Sequence, residues 1–194
     1  LSEAEPSVQA AVVEAMHVDR AADLLEEMPP DEAADILGEL PQERLQAVLN
    51  AMEDADADEV RGLLAFREDS AGGLMSTDFF QARSSWTVGE TLANLQKVDE
   101  DLIPELDEIP LVDDEGKLSG IVPLVRLVRA SGGRPVAEFK RREVRAVTTA
   151  TPFREVVERF EKYHLRALAV IDEFGDLKGI INIEDVLSRL VKGE

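Results

Sequence analysis

The chain contains no cysteine among its 194 residues, which removes disulfides and thiolate metal sites together and fits a reducing setting. Its two histidines, His17 and His164, stand far apart without metal-ligand spacing, so surface roles fit them. Long apolar runs are also missing: nothing approaches the roughly 18–20 residues that a membrane-crossing helix needs. The sequence opens on Leu1 with no basic stretch or signal-like apolar core behind it. The expectation is a soluble piece of a longer protein in a reducing, cytosolic setting. Bases are scarce, 21 against 41 acids, for a net charge of −20. Phosphate backbones require a basic stripe, so nucleic acid is excluded as a partner. No Ser/His/Asp set or carboxylate pair has a motif around it. Gly72-Gly73 and Gly132-Gly133 lack the Lys-Ser/Thr of a phosphate-binding loop and read as hinges. No enzyme is expected.

What is present is 44% hydrophobic and 32% charged, the balance of a folded globular chain with room for one large or two small domains. The charge is uneven. Residues 1–70 hold 19 acids and 4 bases, whereas residues 136–194 hold 11 of each. Two regions with different tasks are implied.

A repeat organises the second region. Ile109-Pro-Leu-Val-Asp-Asp-Glu-Gly-Lys-Leu-Ser-Gly-Ile-Val122 returns as Leu168-Ala-Val-Ile-Asp-Glu-Phe-Gly-Asp-Leu-Lys-Gly-Ile-Ile181 at an offset of 59 residues. Each copy is an apolar run, an acidic turn closed by Gly, and a second apolar run, the pattern of a β-hairpin whose Gly supplies positive φ. Ahead of the first hairpin, Phe79 to Arg83 reads as a short strand, and Thr87-Val-Gly-Glu90 as a capping box opening a helix through Lys97. Ahead of the second, Val144 to Thr149 reads as a strand, Thr151 as an N-cap and Pro152 as the first helical residue. A helix follows each hairpin, near Pro123–Ala130 and Ile183–Val191. The repeating unit is β-α-β-β-α. The first copy carries extra acidic residues among Val98 to Glu108.

A shorter repeat organises the first region. Ala21-Ala-Asp-Leu-Leu-Glu-Glu-Met-Pro29 returns as Ala33-Ala-Asp-Ile-Leu-Gly-Glu-Leu-Pro41, 12 residues on, and Val48, Leu49 and Met52 continue the pattern. Two-turn amphipathic helices ended by Pro are not stable alone, so they must stack into a small superhelix. A last helix runs from Asp56 to Phe66. Ser70-Ala-Gly-Gly-Leu-Met75 breaks the helical period. The fold class is therefore α+β, with divisions at 1–69, 70–131 and 132–194.

Over about residues 70–192 the hairpin signatures and capped helices resemble a tandem CBS-domain pair. The Ala-Ala-Asp-Leu-Leu-Glu-Glu-Met-Pro repeat leading into Glu68-Asp-Ser-Ala-Gly-Gly-Leu-Met75 is similar to the cytosolic part of MgtE-type magnesium transporters. The resemblance implies a regulatory Mg²⁺ sensor, homodimeric through its CBS domains, attached to a membrane pore domain, and closed when Mg²⁺ bridges acidic faces. It points to carboxylate ligands. On the CBS side these are Asp113, Asp114, Glu115, Asp172, Glu173, Glu184 and Asp185. At the junction they are Glu68 and Asp69, and on the helices Glu26, Glu27, Asp31, Glu32, Asp54, Asp56 and Asp58. The alternative for all of them is a solvated acidic face, and for Asp113 and Asp172 an ordinary turn role.

CBS pairs also imply adenine-nucleotide binding. The family pattern of a hydroxyl residue with an Asp three residues later is met in the second copy only in part, with Asn182 replacing the hydroxyl and Asp185 present. The first copy departs at both positions, with Pro123 and Arg126. Arg126 cannot accept ribose hydroxyls, although it can meet a phosphate. For Asn182 and Asp185 a helix N-cap with its first-turn acid stands beside the nucleotide role. Two further readings stay open: a stand-alone CBS adaptor responding to adenine nucleotides without an attached pore, and a dimeric scaffold indifferent to both ligands.

Overall fold

A computed structural model of the chain describes residues 6–98 and 107–192, and these fall into two compact units, Leu1–Glu68 and Asp69–Glu194. The first unit holds five short helices: α1 (Pro6–Ala15), α2 (Val18–Glu26), α3 (Pro30–Gly38), α4 (Gln42–Leu49) and α5 (Asp54–Leu64). Each packs on the helix two places along, α1 on α3, α2 on α4 and α3 on α5, as stacked two-turn repeats require. The 12-residue repeat is visible in the core: Ala21, Leu25, Ala33, Ile36, Leu37, Val48 and Leu49 are all buried. Pro29 and Pro41 act as N-caps of α3 and α4, so each proline that closes one repeat opens the next helix. Arg44 donates from Nη2 to the carbonyls of Val13 (2.9 Å) and Met16 (2.5 Å). These lie at the end of α1, where the last carbonyls lack the usual amide partner four residues on.

The second unit contains the unit β-α-β-β-α twice. The first copy is β1 (Ala82–Arg83), α6 (Val88–Leu95), β2 (Glu108–Val112), β3 (Leu118–Pro123) and α7 (Leu124–Val128). The second is β4 (Ala146–Thr148), α8 (Phe153–Tyr163), β5 (Ala167–Ile171), β6 (Leu177–Asn182) and α9 (Ile183–Lys192). In each copy the first strand runs parallel to the second, with the helix as crossover, and the second and third form an antiparallel hairpin. Gly116 and Gly175 close the two turns at φ values of 86° and 88°, where a Cβ would be strained. The acidic insertion within 98–108 lies mostly outside the described residues.

The expected short strands are shorter still, because only Ala82 and Arg83, and Ala146 to Thr148, pair with a neighbour. The Thr87–Glu90 capping box is present. The N–H and Oγ1 of Thr87 both donate to Glu90 Oε2 (2.8 and 2.9 Å), and Glu90 N–H donates back to Oγ1 at 3.2 Å. The backbone bond from Thr87, then its hydroxyl, holds the Glu90 carboxyl below its usual range, outweighing a small opposing effect of burial. The expectation for Thr151 is corrected. Pro152 is the N-cap of α8, and Thr151 Oγ1 instead accepts from Thr148 N–H at 3.1 Å.

The reason lies in an exchange of leading segments between the copies. Phe153 N–H, at the start of α8, donates to Asp69 O at 2.8 Å, while Ala71 and Gly72 donate to Thr151 O and Thr149 O. Ser76 then pairs with Ile180 in both directions, at 2.8 and 3.0 Å, covering the free edge of β6. So the segment preceding the first copy is bound to the second. The linker preceding the second copy is bound to the first in the same way. Val88 and Gly89 donate to Arg134 O and Gly132 O, and Arg141 N–H donates to Ile121 O on β3. A 3₁₀ helix at Val136–Phe139, unmarked by any repeat, completes that strap. The β3 edge of one sheet and the β6 edge of the other are thereby covered.

Candidate functional site

The two hairpins meet face to face, and residues 59 apart touch their own counterparts. Leu118 N–H donates to Gly175 O at 3.1 Å, and Leu177 N–H donates to Gly116 O at 3.3 Å. Lys117 Nζ lies 3.4 Å from Asp176 Oδ1 and 3.0 Å from Phe174 O. At another point of the contact Arg166 Nη1 lies 2.5 Å from Asp107 Oδ2. Its hydrogen bond to Asp107, then that carboxylate's charge and more weakly Glu184, push the guanidinium's pKa further up against burial. A residue that meets its own repeat counterpart sits on a pseudo-twofold axis. That axis also passes through a narrow cleft, lined by Glu108, Pro110 and Ile121 and by their counterparts Ala167, Ala169 and Ile180. Glu108, only 11% exposed, is paired with Arg141 of the linker.

The expected ligand residues divide by how fully their oxygens are engaged. Asp172 is the most engaged. Its Oδ1 accepts from Phe174 N–H and Asp176 N–H, both at 2.9 Å, and its Oδ2 lies 3.2 Å from Lys178 Nζ. Partial burial raises its pKa, but the Asp176 and Phe174 amides and Lys178 outweigh this and leave it lowered. Its contribution to stability is therefore complete above the ordinary aspartate range, near pH 4, and lost as pH falls through the lowered folded-state value. Asp172→Asn is expected to flatten that part of the acid-unfolding profile, read as unfolding midpoint against pH. Asp113 holds its turn in the same way, with Oδ1 accepting from Glu115 N–H at 3.0 Å and Lys117 N–H at 2.9 Å. Asp114, Glu115 and Glu173 at the hairpin tips, Glu184 on α9, and Glu68 are exposed. Asp69 is exposed as well, with its carbonyl committed to α8. Among the described residues no group of three or more His, Asp or Glu side chains converges on a metal-sized point.

Of the expected nucleotide residues, Asn182 is buried, and its N–H donates to Asp185 Oδ2 at 2.8 Å. That is the N-cap to first-turn contact weighed against nucleotide binding above. Arg126 is exposed on α7 and donates to Phe139 O at 3.2 Å, which ties α7 to the linker. The structure thus brings Asn182 and Asp185 together at the start of α9 and engages Arg126 elsewhere. The on-axis pairs Asp107–Arg166 and Lys117–Asp176 are absent from the sequence expectations. Their signal was the same 59-residue offset, carried by opposite charges rather than by matching residues. No helix among the described residues is long and apolar enough to cross a membrane.

Two β-α-β-β-α units sharing a pseudo-twofold contact define a tandem pair of one duplicated domain, and the comparisons agree. Residues 71–133 and 136–192 match the CBS domain model, and residues 1–69 match the MgtE intracellular N domain. The chain therefore belongs to the CBS-domain family, as a chain in which an MgtE intracellular N domain precedes a CBS pair. It is 34% identical over 145 residues, 75% of its length, to the magnesium transporter MgtE of Thermus thermophilus, of which it spans 32%. The chain thus covers about a third of that relative's length. The soluble part of a magnesium transporter shares its fold at a TM-score of 0.82 and 23% identity, over 98% of this chain and 79% of that one. The cytosolic domain of the Mg²⁺ channel MgtE in complex with ATP aligns at 0.67 and 28% identity, over 97% of this chain and 86% of the other.

Proposed function

We propose that this chain is the regulatory, intracellular Mg²⁺-sensing region of an MgtE-type magnesium transporter or channel. In this reading Mg²⁺ bridges acidic surfaces of the helical unit and the CBS pair and favours a compact, pore-closed state. The observation that carries the reading is the joining of an MgtE intracellular N domain to a CBS pair in one chain, with the strongest negative charge confined to the N domain. Mg²⁺ is a hard cation that takes one or two carboxylates and keeps several waters, so separate exposed carboxylates suit it and a finished cage is not required. Glu68, Asp114, Glu173 and Glu184 are the better ligands on that ground, with Asp69 beside Glu68 at the junction. Asp113, Asp172 and Asp185 are poorer ones, since each already accepts backbone N–H bonds.

Titration with Mg²⁺, followed by small-angle scattering and protease protection, is expected to show compaction with a midpoint on the order of 10⁻³ M, the range of loose hard-cation sites. A flat response to tens of millimolar overturns the reading. The combined variant Glu68→Gln, Asp114→Asn, Glu173→Gln and Glu184→Gln is expected to move that midpoint several-fold upward and leave the unfolding midpoint unchanged.

Homodimerisation through the CBS pair belongs to the same proposal. Its support is that the equivalent helices α7 and α9 both expose apolar side chains, Val125 and Val128 on one, Leu187, Leu190 and Val191 on the other. Twofold dimers are the commonest oligomers, and sedimentation of the purified chain tests this one. The pore domain and the cytoplasmic side of the membrane follow from the transporter reading.

A second reading, response to adenine nucleotides, is favoured by the ATP complex of the related cytosolic domain. The inter-copy cleft has room for about one water molecule, far less than the roughly 300–1,000 Å³ of most ligand pockets, and Asp185 already holds a helix start. Calorimetry with ATP, ADP and AMP decides it, and no heat with any of the three rules it out.

A further inference from the structure

We infer that the two CBS copies select each other through opposite charges placed at counterpart positions on their shared axis, so that the face of the first copy fits the second copy and rejects another first copy. A repeat that pairs with itself about a twofold axis brings each on-axis residue against its own counterpart. Had the two copies kept one charge pattern, like charges would meet at both points. They do not. Asp107 in the first copy meets Arg166 in the second at 2.5 Å, and Lys117 meets Asp176 at 3.4 Å, each pair 59 residues apart. The signs alternate, acid then base in the first copy, base then acid in the second.

A pair of two first copies would set Asp107 against Asp107 and Lys117 against Lys117. A pair of two second copies would set Arg166 and Asp176 each against itself. Like charges held directly opposite destabilise a contact, and repulsive elements of this kind set partner choice more effectively than added attraction. The backbone bonds between Leu118 and Gly175 and between Leu177 and Gly116 are blind to which copy supplies them. The charges are what distinguish the copies at this surface.

The full chain tests this without dissecting it. Arg166→Asp with Asp176→Lys gives the second copy the signs of the first. In 0.1 M salt its thermal midpoint is expected to fall by about 4–10 °C. Adding Asp107→Arg and Lys117→Asp, which restores opposite signs in reversed order, is expected to recover at least half of that loss. Recovery is incomplete because Glu184 also faces Arg166. In 1 M salt, where the screening length drops from about 10 Å to about 3 Å, the two variants should converge. The neutral variant Asp107→Asn with Arg166→Gln should lie between wild type and the sign-matched chain. A fourfold variant no more stable than the twofold one, or a twofold variant unchanged at 0.1 M salt, overturns the inference.

Discussion

Gly179→Ala is expected to lower the stability of the CBS pair by about 1–3 kcal/mol, the usual range for overpacking a fitted site. Gly120→Ala, at the equivalent position, is expected to cost several-fold less. A Cβ at Gly179 would stand 2.6 Å from Ser76 O, 2.8 Å from Met75 Cγ and 2.9 Å from Met75 Sδ. Ser76 cannot retreat, because its N–H and carbonyl are both bonded to Ile180, and Met75 is buried. The added methyl must therefore push the leading segment off β6. At Gly120 the atoms in the way are Lys140 methylenes, the nearest at 2.9 Å, and a lysine side chain can swing towards solvent. Urea unfolding measures the two costs. Amide exchange at Ser76 and Ile180 shows whether the strap has come away. Equal costs at the two glycines would mean that the exchanged segment does not hold β6 this tightly.

Leu168→Ala is expected to have the largest single effect, about 2–5 kcal/mol, from lost transfer energy together with the cavity left behind. Leu168 is fully buried on β5, in register with Ile181 on β6, with β4 along its other edge. Its counterpart Ile109, paired with Val122, is equally buried. Because the leading segments are exchanged, a cavity in one copy loosens the strap of the other. Leu168→Ala and Ile109→Ala should accordingly each lower the midpoint of one cooperative transition of the CBS pair without changing its denaturant slope. A separate transition for each CBS copy, beside that of the helical unit, would show that the copies fold independently.

Much of the fold was legible because repeats are legible. The 12-residue recurrence of apolar positions in residues 21–52 contains the stacked helices, since a two-turn amphipathic segment has no stable form except against its neighbours. The hairpins were legible from alternating apolar runs and from Gly116 and Gly175, whose positive φ is a local demand. The Thr87–Glu90 box was legible for the same reason, as all its bonds fall within one helical turn. Thr151 misled because its sequence has the same look, while the group that receives the first N–H of α8 is the carbonyl of Asp69, far away in the chain. The on-axis charge pairs were missed for a related reason. A search for repeats rewards sameness, and these positions matter because the copies differ.

The sequence by itself determined the class of fold, the duplicated unit, the family resemblance and the location of negative charge, all of which rest on local periodicity and composition. The turn and helix-start roles of Asp113, Asp172 and Asp185 were legible too, because the N–H groups that hold them lie within four residues. Only the tertiary structure decided that each copy's leading strap serves the other copy, and that Asp107 faces Arg166 and Lys117 faces Asp176. The physical reason is range. Turn φ values, caps, turn carboxylates and amphipathic spacing are set within a few residues, whereas a strap's sheet edge and a charge's partner 59 residues away depend on segments that only the folded chain brings together.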